Sequence, residues 1–469
     1  MEIVTGVIGA LNTIISLWLV LIIVYQLYIS FFGFHKKSKD YADHDPQLRY
    51  LVLVPAHNEE TVIGGIIENL KSMDYPEELY DFYIIADHCS DRTAEVARGL
   101  GANVIEISQE RPGEPTGKPI ALQKALQRLG HYGQTHDLVM FFDADNLIDL
   151  NMFREVNSQF LSHPEADIVQ CYLGCKNKKG LVALFYYTSY TITNRFFQYA
   201  KSRIGINSVI GGTGFAVKSA YLEQRGGWTA MSLTEDFELQ VEATCEGKRI
   251  LWNQNVRVYD EKPTHWGASF RQRTRWAQGH WFVCFKNTRR IIRAYREKRI
   301  GFGEFLSTFL YVYSLLPCIL VIAQLALSGL LELFRAVKWI PAAVTALTVR
   351  DWALVNLPSV LVFLYCFIVL FYVADRMDNG VKVNPLTLFP ILLSLALNSV
   401  LVFVTQVWGL LRHRRQNVWV KTAHRINDAR EGCLYEPSRP SDAGRRLHQM
   451  EVIPSARAES EPAADHQPA

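Results

Sequence analysis

Four acidic positions recur in order along one polar stretch, in a pattern suited to transfer chemistry on a phosphorylated substrate: Asp87 in "ADHCSD", Asp143 and Asp145 in "FFDADN", and Asp236 in "LTEDFE". Two carboxylates separated by one small residue, directly after the apolar run "LVMFF", are hard oxygen donors. They suit Mg2+ or Mn2+, with diphosphate oxygens and water filling the remaining positions. Asp-x-Asp is also a common way to end a strand or open a turn. Asp87, closing "DFYIIAD", can accept hydrogen bonds from a base or ribose, whereas Asp91 suits the cap of the helix expected over "SDRTAEVARGL". Asp236 stands beside Glu235, and like charge in a part-enclosed site raises a carboxyl toward the range of a general base. The same segment also reads as Thr234 capping a helix with two carboxylates in its first turn, which is stable without any function.

Three further segments carry groups for the same chemistry. Lys118 in "TGKPIAL" opens a helix, where a cation is disfavoured unless an anion is near. An ordinary solvated lysine is the alternative. "GGTGFAV" (Gly211 to Val217) lets the backbone approach a ligand closely, or makes a plain tight turn. "QRTRWAQGHW" supplies Gln272, Arg273, Arg275, Trp276, His280 and Trp281. Arginine pairs bidentately with phosphate and indole stacks on a sugar face, while an interfacial aromatic and basic belt is the other reading, better suited to Trp281 than to Trp276.

The elements that position these groups follow from periodicity. "RYLVLVPA" is a continuous apolar run, as in a strand covered on both faces, and helical spacing follows from Glu60 to Lys71. Strands expected at "DFYIIAD", "NVIEI" and "LVMFF" alternate with helices. This order predicts an α/β, Rossmann-like domain with a mainly parallel sheet, whose ligands bind beyond the carboxyl ends of the strands, where Asp87 and Asp143 fall.

The rest of the chain is apolar in blocks. Ile3 to Phe34, Phe305 to Leu331, Trp352 to Ala374 and Val383 to Leu411 carry no charged side chain, and each exceeds the roughly 20 residues that cross a bilayer. "HKKSK" after the first run places the polar stretch in the cytoplasm by the positive-inside rule, which predicts a multi-pass protein of the cell membrane with a cytoplasmic catalytic domain. "RHRR" (Arg412 to Arg415) argues for a cytoplasmic tail. That requires either a re-entrant last run or a further crossing at Ala336 to Thr348. Basic residues from Lys286 to Arg299 around Ile291, Ile292 and Tyr295 predict an amphipathic segment at an anionic leaflet. The expected organisation is an anchor over 1–39, a soluble domain over 40–285, an interfacial helix over 286–304, membrane helices over 305–411 and a largely disordered tail over 412–469. A net charge of +3 gives no nucleic-acid footprint, and eight scattered cysteines without a C-x-x-C pair suit a reduced compartment.

Taken in order, "VLVPAHNEE", "IIADHCSDRT", "TGKPIALQKAL", "FFDADN", "GGTG", "LTEDFE" and "QRTRW" resemble the membrane-bound family 2 glycosyltransferases, which include hyaluronan, chitin, cellulose and poly-N-acetylglucosamine synthases. The resemblance implies a GT-A fold, an inverting mechanism and a UDP-sugar donor. It implies that Asp87 contacts uridine, Lys118 the donor, and Asp143 with Asp145 the metal and diphosphate. It assigns Asp236 as base, and Gln272, Arg273, Arg275 and Trp276 to the acceptor end and the diphosphate. It also implies a growing glycan as acceptor, exported through the membrane helices, or a lipid-linked acceptor as in lipid glucosyltransferases with a similar Q-x-x-R-W ending. Any export partner is left open. Ala86 stands where many members have Asp, and "VWVKTAHR" is similar to the ending of these enzymes.

Overall fold

The computed structural model describes residues 2–108, 116–336, 349–382 and 384–416. Its centre is an eight-stranded sheet: β1 Tyr50–Ala56, β2 Tyr80–Asp87, β3 Asn103–Ile107, β4 Leu138–Phe141, β5 Leu147–Ile148, β6 Ala166–Cys175, β7 Phe215–Lys218 and β8 Arg249–Asp260, in the order β3-β2-β1-β4-β7-β6-β8-β5. Side chains of β1 alternate between two cores, as strand geometry requires. Tyr50, Val52 and Val54 pack under Ile63, Ile66, Ile67 and Phe153. Leu51 and Leu53 pack under Leu122, Ala125 and Trp228 on the other face. With both faces covered, the strand has no polar side, which is why it reads as an unbroken apolar run.

β1 pairs in parallel with β2 on one side and β4 on the other, so the chain order reverses between them and leaves a crevice at their carboxyl ends. Ala56, Asp87 and the residues after Phe141 end at that edge. β7 is antiparallel to β4, with Phe141 opposite Phe215, and this brings the glycine loop before β7 back to the same edge. Gly214 has φ +63°, and a Cβ there would lie 2.3 Å from Val258 Cγ1, so the turn admits only glycine.

A helix of 31 residues, Trp266–Arg296, crosses below this edge. It runs past the boundary expected at 285/286, so the basic segment is its continuation as far as Arg296. The physical reason is charge. Lys286 pairs with Glu238, and Arg290 reaches Glu242 at 3.1 Å and Glu246 at 2.6 Å, all on the helix Glu235–Cys245. Trp281, expected at the interface, is 2 % exposed and sits in a core with Phe237, Val241 and Val312.

Of the apolar runs, Glu2–Phe31, Val349–Asn379 and Leu388–Arg412 form long helices, while the second is broken into Phe302–Val312 and Leu316–Ala336, bent by 55°. Pro317 explains the break, because its ring excludes the carbonyl four residues back, that of Tyr313. Among the described residues, two helices are long and apolar enough to cross a membrane alone, or three if the bent pair is one span. The alternative crossing at Ala336 to Thr348 and the segment "VWVKTAHR" fall outside the described residues but for Ala336. A fully buried guanidinium, Arg195, ties the ends of two of these helices to the sheet domain. It donates to Gly33 O at 2.7 Å and to His35 O after the first, and pairs with Asp378 at 2.8 Å at the end of Val349–Asn379.

Candidate active site

Asp87, Lys118, Asp143, Asp145, Asp236, Gln272, Arg273, Arg275 and Trp276 all line one cavity of about 590 Å³ at the carboxyl edge of the sheet. The centre is an ion cluster. Lys118 Nζ donates to Asp143 Oδ1 at 2.6 Å and to Gly212 O at 2.7 Å, and lies 3.6 Å from Glu235 Oε1. The anion that a lysine at a helix start demands is thus the site's own carboxylates. Burial works against the Lys118 ammonium, but Asp143, Glu235 and Asp236 outweigh it and hold it above the usual lysine range. Gly212, with φ +85°, lies between them: a Cβ there would come within 3.2 Å of Asp236 Oδ2. Burial, and next the charge of Glu235, push the Asp236 carboxyl up to about 7.

One wall of the cavity is built from strand termini. Asp87 is 4 % exposed, with Oδ2 accepting from Gly117 N at 3.2 Å and Oδ1 2.5 Å from His88 Nδ1. Asp91 instead accepts from the Thr93 amide at 3.0 Å and its hydroxyl, and stands outside the cavity lining, so it anchors its helix start. Asp145 accepts from Glu261 N at 2.8 Å. The donor set fits a hard divalent cation: two carboxylates at one strand end, and beside them Asp260, whose buried Oδ1 has no partner among the described residues. Burial raises the Asp260 carboxyl, with Lys262 opposing and Asp145 and Asp143 adding to the rise. Among the described residues no group of three or more His, Cys, Asp or Glu is arranged to hold a metal ion by itself.

Another wall is one face of the long helix. Gln272, Arg275, Trp276, Gly279 and His280 recur at intervals of three and four, which explains the motif's spacing. Gln272 Oε1 accepts from Tyr186 OH at 2.9 Å, and Trp276 meets the Tyr186 ring edge-on at 6.1 Å. Arg273 leans away, its guanidinium 4.3 Å over Tyr186 and 4.6 Å over Phe185. Arg275 Nε is buried without a partner among the described residues, so this arginine keeps capacity for an anion. A Cβ on Gly279 would lie 2.5 Å from Thr234 Oγ1, so glycine lets the start of the Asp236 helix dock here. His280 stacks on Phe237 at 4.5 Å and lies 2.8 Å from Val312 O, at the break in the bent pair; burial pushes it down to about 4.

The sequence reading missed Asp260, Tyr190, and the membrane-side lining by Tyr311, Ser314, Thr405 and Gln406. Asp260 had a signal, since it ends a strand as Asp87 does. Thr405 and Gln406 had a weaker one, being polar residues inside an uncharged run.

Residues 46–279 match the family described as "Glycosyltransferase like family 2". The chain carries a family 2 glycosyltransferase domain. This glycosyltransferase is 28 % identical over 241 residues to a β-monoglucosyldiacylglycerol synthase of Synechocystis, covering 50 % of this chain and 48 % of that protein. It is 23 % identical over 260 residues to a poly-β-1,6-N-acetyl-D-glucosamine synthase of Staphylococcus epidermidis, covering 55 % and 60 %. The matched part thus spans about half to three-fifths of such relatives. Its fold is that of a mannosyltransferase from Pyrobaculum calidifontis solved with GDP-Man and Mn2+, at a TM-score of 0.54 and 17 % identity, covering 86 % of this chain and 99 % of that one. The GT-A expectation therefore holds, including its mixed, mainly parallel sheet.

Proposed function

We propose that the enzyme transfers a sugar with inversion from a UDP-sugar to the hydroxyl of a β-linked glycan held at the membrane surface, and repeats the step on its own product. The observation that carries this reading is the convergence of Asp236, Lys118, Asp143 and the Gln272–Arg275–Trp276 face on one cavity. Asp236 takes the proton of the acceptor hydroxyl while that oxygen bonds to the anomeric carbon. The bond from that carbon to the diphosphate breaks, and its electron pair leaves on the UDP oxygen. Asp87 accepts from the uridine, and Arg275, with Lys118, balances charge on the diphosphate. A divalent cation held by Asp143 and Asp145 would supply Lewis-acid stabilisation of the leaving group. Trp276 offers an indole face to the terminal sugar, which keeps the product in place for the next addition.

A second reading is a single addition to a lipid acceptor. It is favoured by the apolar membrane-side lining, Leu315 and Val402, and by the likeness to a glucosyldiacylglycerol synthase. The test is to supply each common UDP-sugar with Mn2+ or Mg2+ to the protein in lipid nanodiscs, and to measure UDP release and product size, with Asp236→Asn as control. Long polymer supports the first reading and a singly modified lipid the second. No UDP release from any donor refutes both.

A further inference from the structure

Ahead of β7 the chain passes through the protein interior without regular structure. Residues 206–211 are neither helix nor strand, yet Asn207, Ser208, Val209, Ile210 and Thr213 are buried. Peptide groups buried outside a ladder must find other partners. Here three glutamines from three separate elements supply them at consecutive positions. Gln198, on the π-helical turn Asn194–Tyr199, donates from Nε2 to Val209 O at 2.8 Å and accepts from Val209 N at 2.9 Å. Gln240, on the helix Glu235–Cys245, accepts from Ile210 N at 3.3 Å. Gln170, in β6, accepts from Gly211 N at 3.0 Å, while its Nε2 donates to Thr213 O at 2.9 Å and lies 3.2 Å from Gly214 O. All three residues are buried.

The segment they hold touches the centre of the site. Gly212 O accepts from Lys118 Nζ at 2.7 Å, and Thr213 Oγ1 accepts from the Asp143 amide at 3.1 Å and donates to Asn146 Oδ1. Lys118 therefore has two tethers, the Asp143 carboxylate and the Gly212 carbonyl. A carboxylate that also serves a divalent cation is a shared partner, whereas the carbonyl is not. Gln240 stands one helical turn beyond Asp236, so the base and the segment share an anchor. Asp87 is held instead by Gly117 N. Gln170 and Gln240 lie outside the cavity lining, and they reach a substrate only through the segment they hold.

We propose that Gln170 and Gln240 are positioning residues: together with Gln198 they fix residues 209–214 so that Gly212 O and Thr213 Oγ1 hold Lys118 and Asp143 in place for the diphosphate of the donor. Gln170 has the larger share, because it alone grips the glycine turn at both ends, Gly211 N and Gly214 O. The proposal rests on the reading of a UDP-sugar donor.

The test uses the full chain in lipid nanodiscs with Mn2+, and compares binding of UDP with binding of uridine, which lacks the diphosphate. Gln170→Met keeps the side-chain length and removes its hydrogen bonds. It should weaken UDP binding about tenfold and lower kcat by a similar factor, with uridine binding unchanged. Glutamines that only fill a polar gap in the core would leave UDP binding unchanged, or lower it together with uridine binding as folded protein is lost; either result overturns the proposal. Gln240→Leu removes a single bond and covers the case in which Gln170→Met does not fold: the same split is expected at about threefold, and its absence counts equally against the proposal. Hydrogen exchange over residues 206–214 needs no ligand. It should be about tenfold faster in Gln170→Met and about threefold faster in Gln240→Leu than in the wild type, and unchanged exchange overturns the proposal. A wild-type protein that binds no UDP refutes the donor reading instead, while the exchange rates still decide whether the glutamines hold the segment.

Discussion

Asp236→Asn should make the protein inactive and more stable at once. The wild-type carboxyl is pushed from 3.8 up to about 7 by burial and then by Glu235. The folded state therefore retains a proton that the unfolded chain has released. Stability from this group is full below the unfolded value near 4 and is lost as pH rises through about 7, the reverse of a salt-bridged aspartate. A rise of about 3 units at ~1.4 kcal/mol each sets a ceiling of ~4 kcal/mol. Solvent screening at this partly exposed side chain reduces this to ~1–2 kcal/mol at pH 8. Asparagine carries no such penalty, so the variant should melt about 1–2 °C higher at pH 8. At pH 5 the advantage should shrink to about a third, since only the interval between the unfolded pKa and pH 5 then counts. The assay is thermal unfolding in detergent with EDTA present, followed by tryptophan fluorescence, beside UDP release, which should fall about 10²–10⁴-fold. A melting point that is unchanged at pH 8, or raised equally at both pH values, refutes the account of Asp236 as a buried carboxylate under like-charge stress.

Other outcomes follow from the same geometry. Gly212→Ala places a Cβ 3.2 Å from Asp236 Oδ2 at φ +85° and should cut kcat at least tenfold while UDP binding by calorimetry is kept; unchanged kcat would separate this loop from the base. Asp145→Asn should weaken Mn2+ binding in the presence of UDP by about tenfold or more, read by the paramagnetic signal of free Mn2+. Gln406→Leu should raise the acceptor KM and leave the donor KM alone, because this side chain lines the membrane end of the cavity with Oε1 buried and unpaired among the described residues. Arg225→Ala removes the closest cation of Glu242, 8 % exposed, but leaves Arg290 at 3.1 Å, and should destabilise the fold by about 2 kcal/mol, checked by denaturant melts.

Much of the strand-end side of the cavity was legible because strand ends announce themselves: a short apolar run followed by Asp puts that carboxylate at the sheet edge, and Asp87, Asp143 and Asp145 were found this way. The antiparallel insertion of β7 was not legible, since a parallel and an antiparallel neighbour present the same alternation. Without it the proximity of Gly212 to Lys118 cannot be deduced. The continuity of the long helix across 285/286 was not legible for a similar reason. Arginines from 286 onward look like a face for anionic lipid until Glu238, Glu242 and Glu246, distant in sequence, turn out to pair with some of them. Trp281 went wrong because an indole beside a membrane run has the same sequence signature whether it faces lipid or core. In the last run, hydropathy measured length and apolar content, and the direction in which its few polar side chains face is what sets its relation to the domain.

Arg195 gives this architecture a mechanical meaning. Its guanidinium is buried against the carbonyls that end the first helix and the carboxylate that ends Val349–Asn379, so a sheet domain cut free at residues 40 and 285 would carry an unpaired charge in its interior and an uncovered cavity above it. The division into anchor and catalyst that composition suggests is therefore not a seam along which the molecule can be parted. The apolar helices complete the folded state of the sheet domain, and the cavity that holds Asp236 has its full wall only when they are in place.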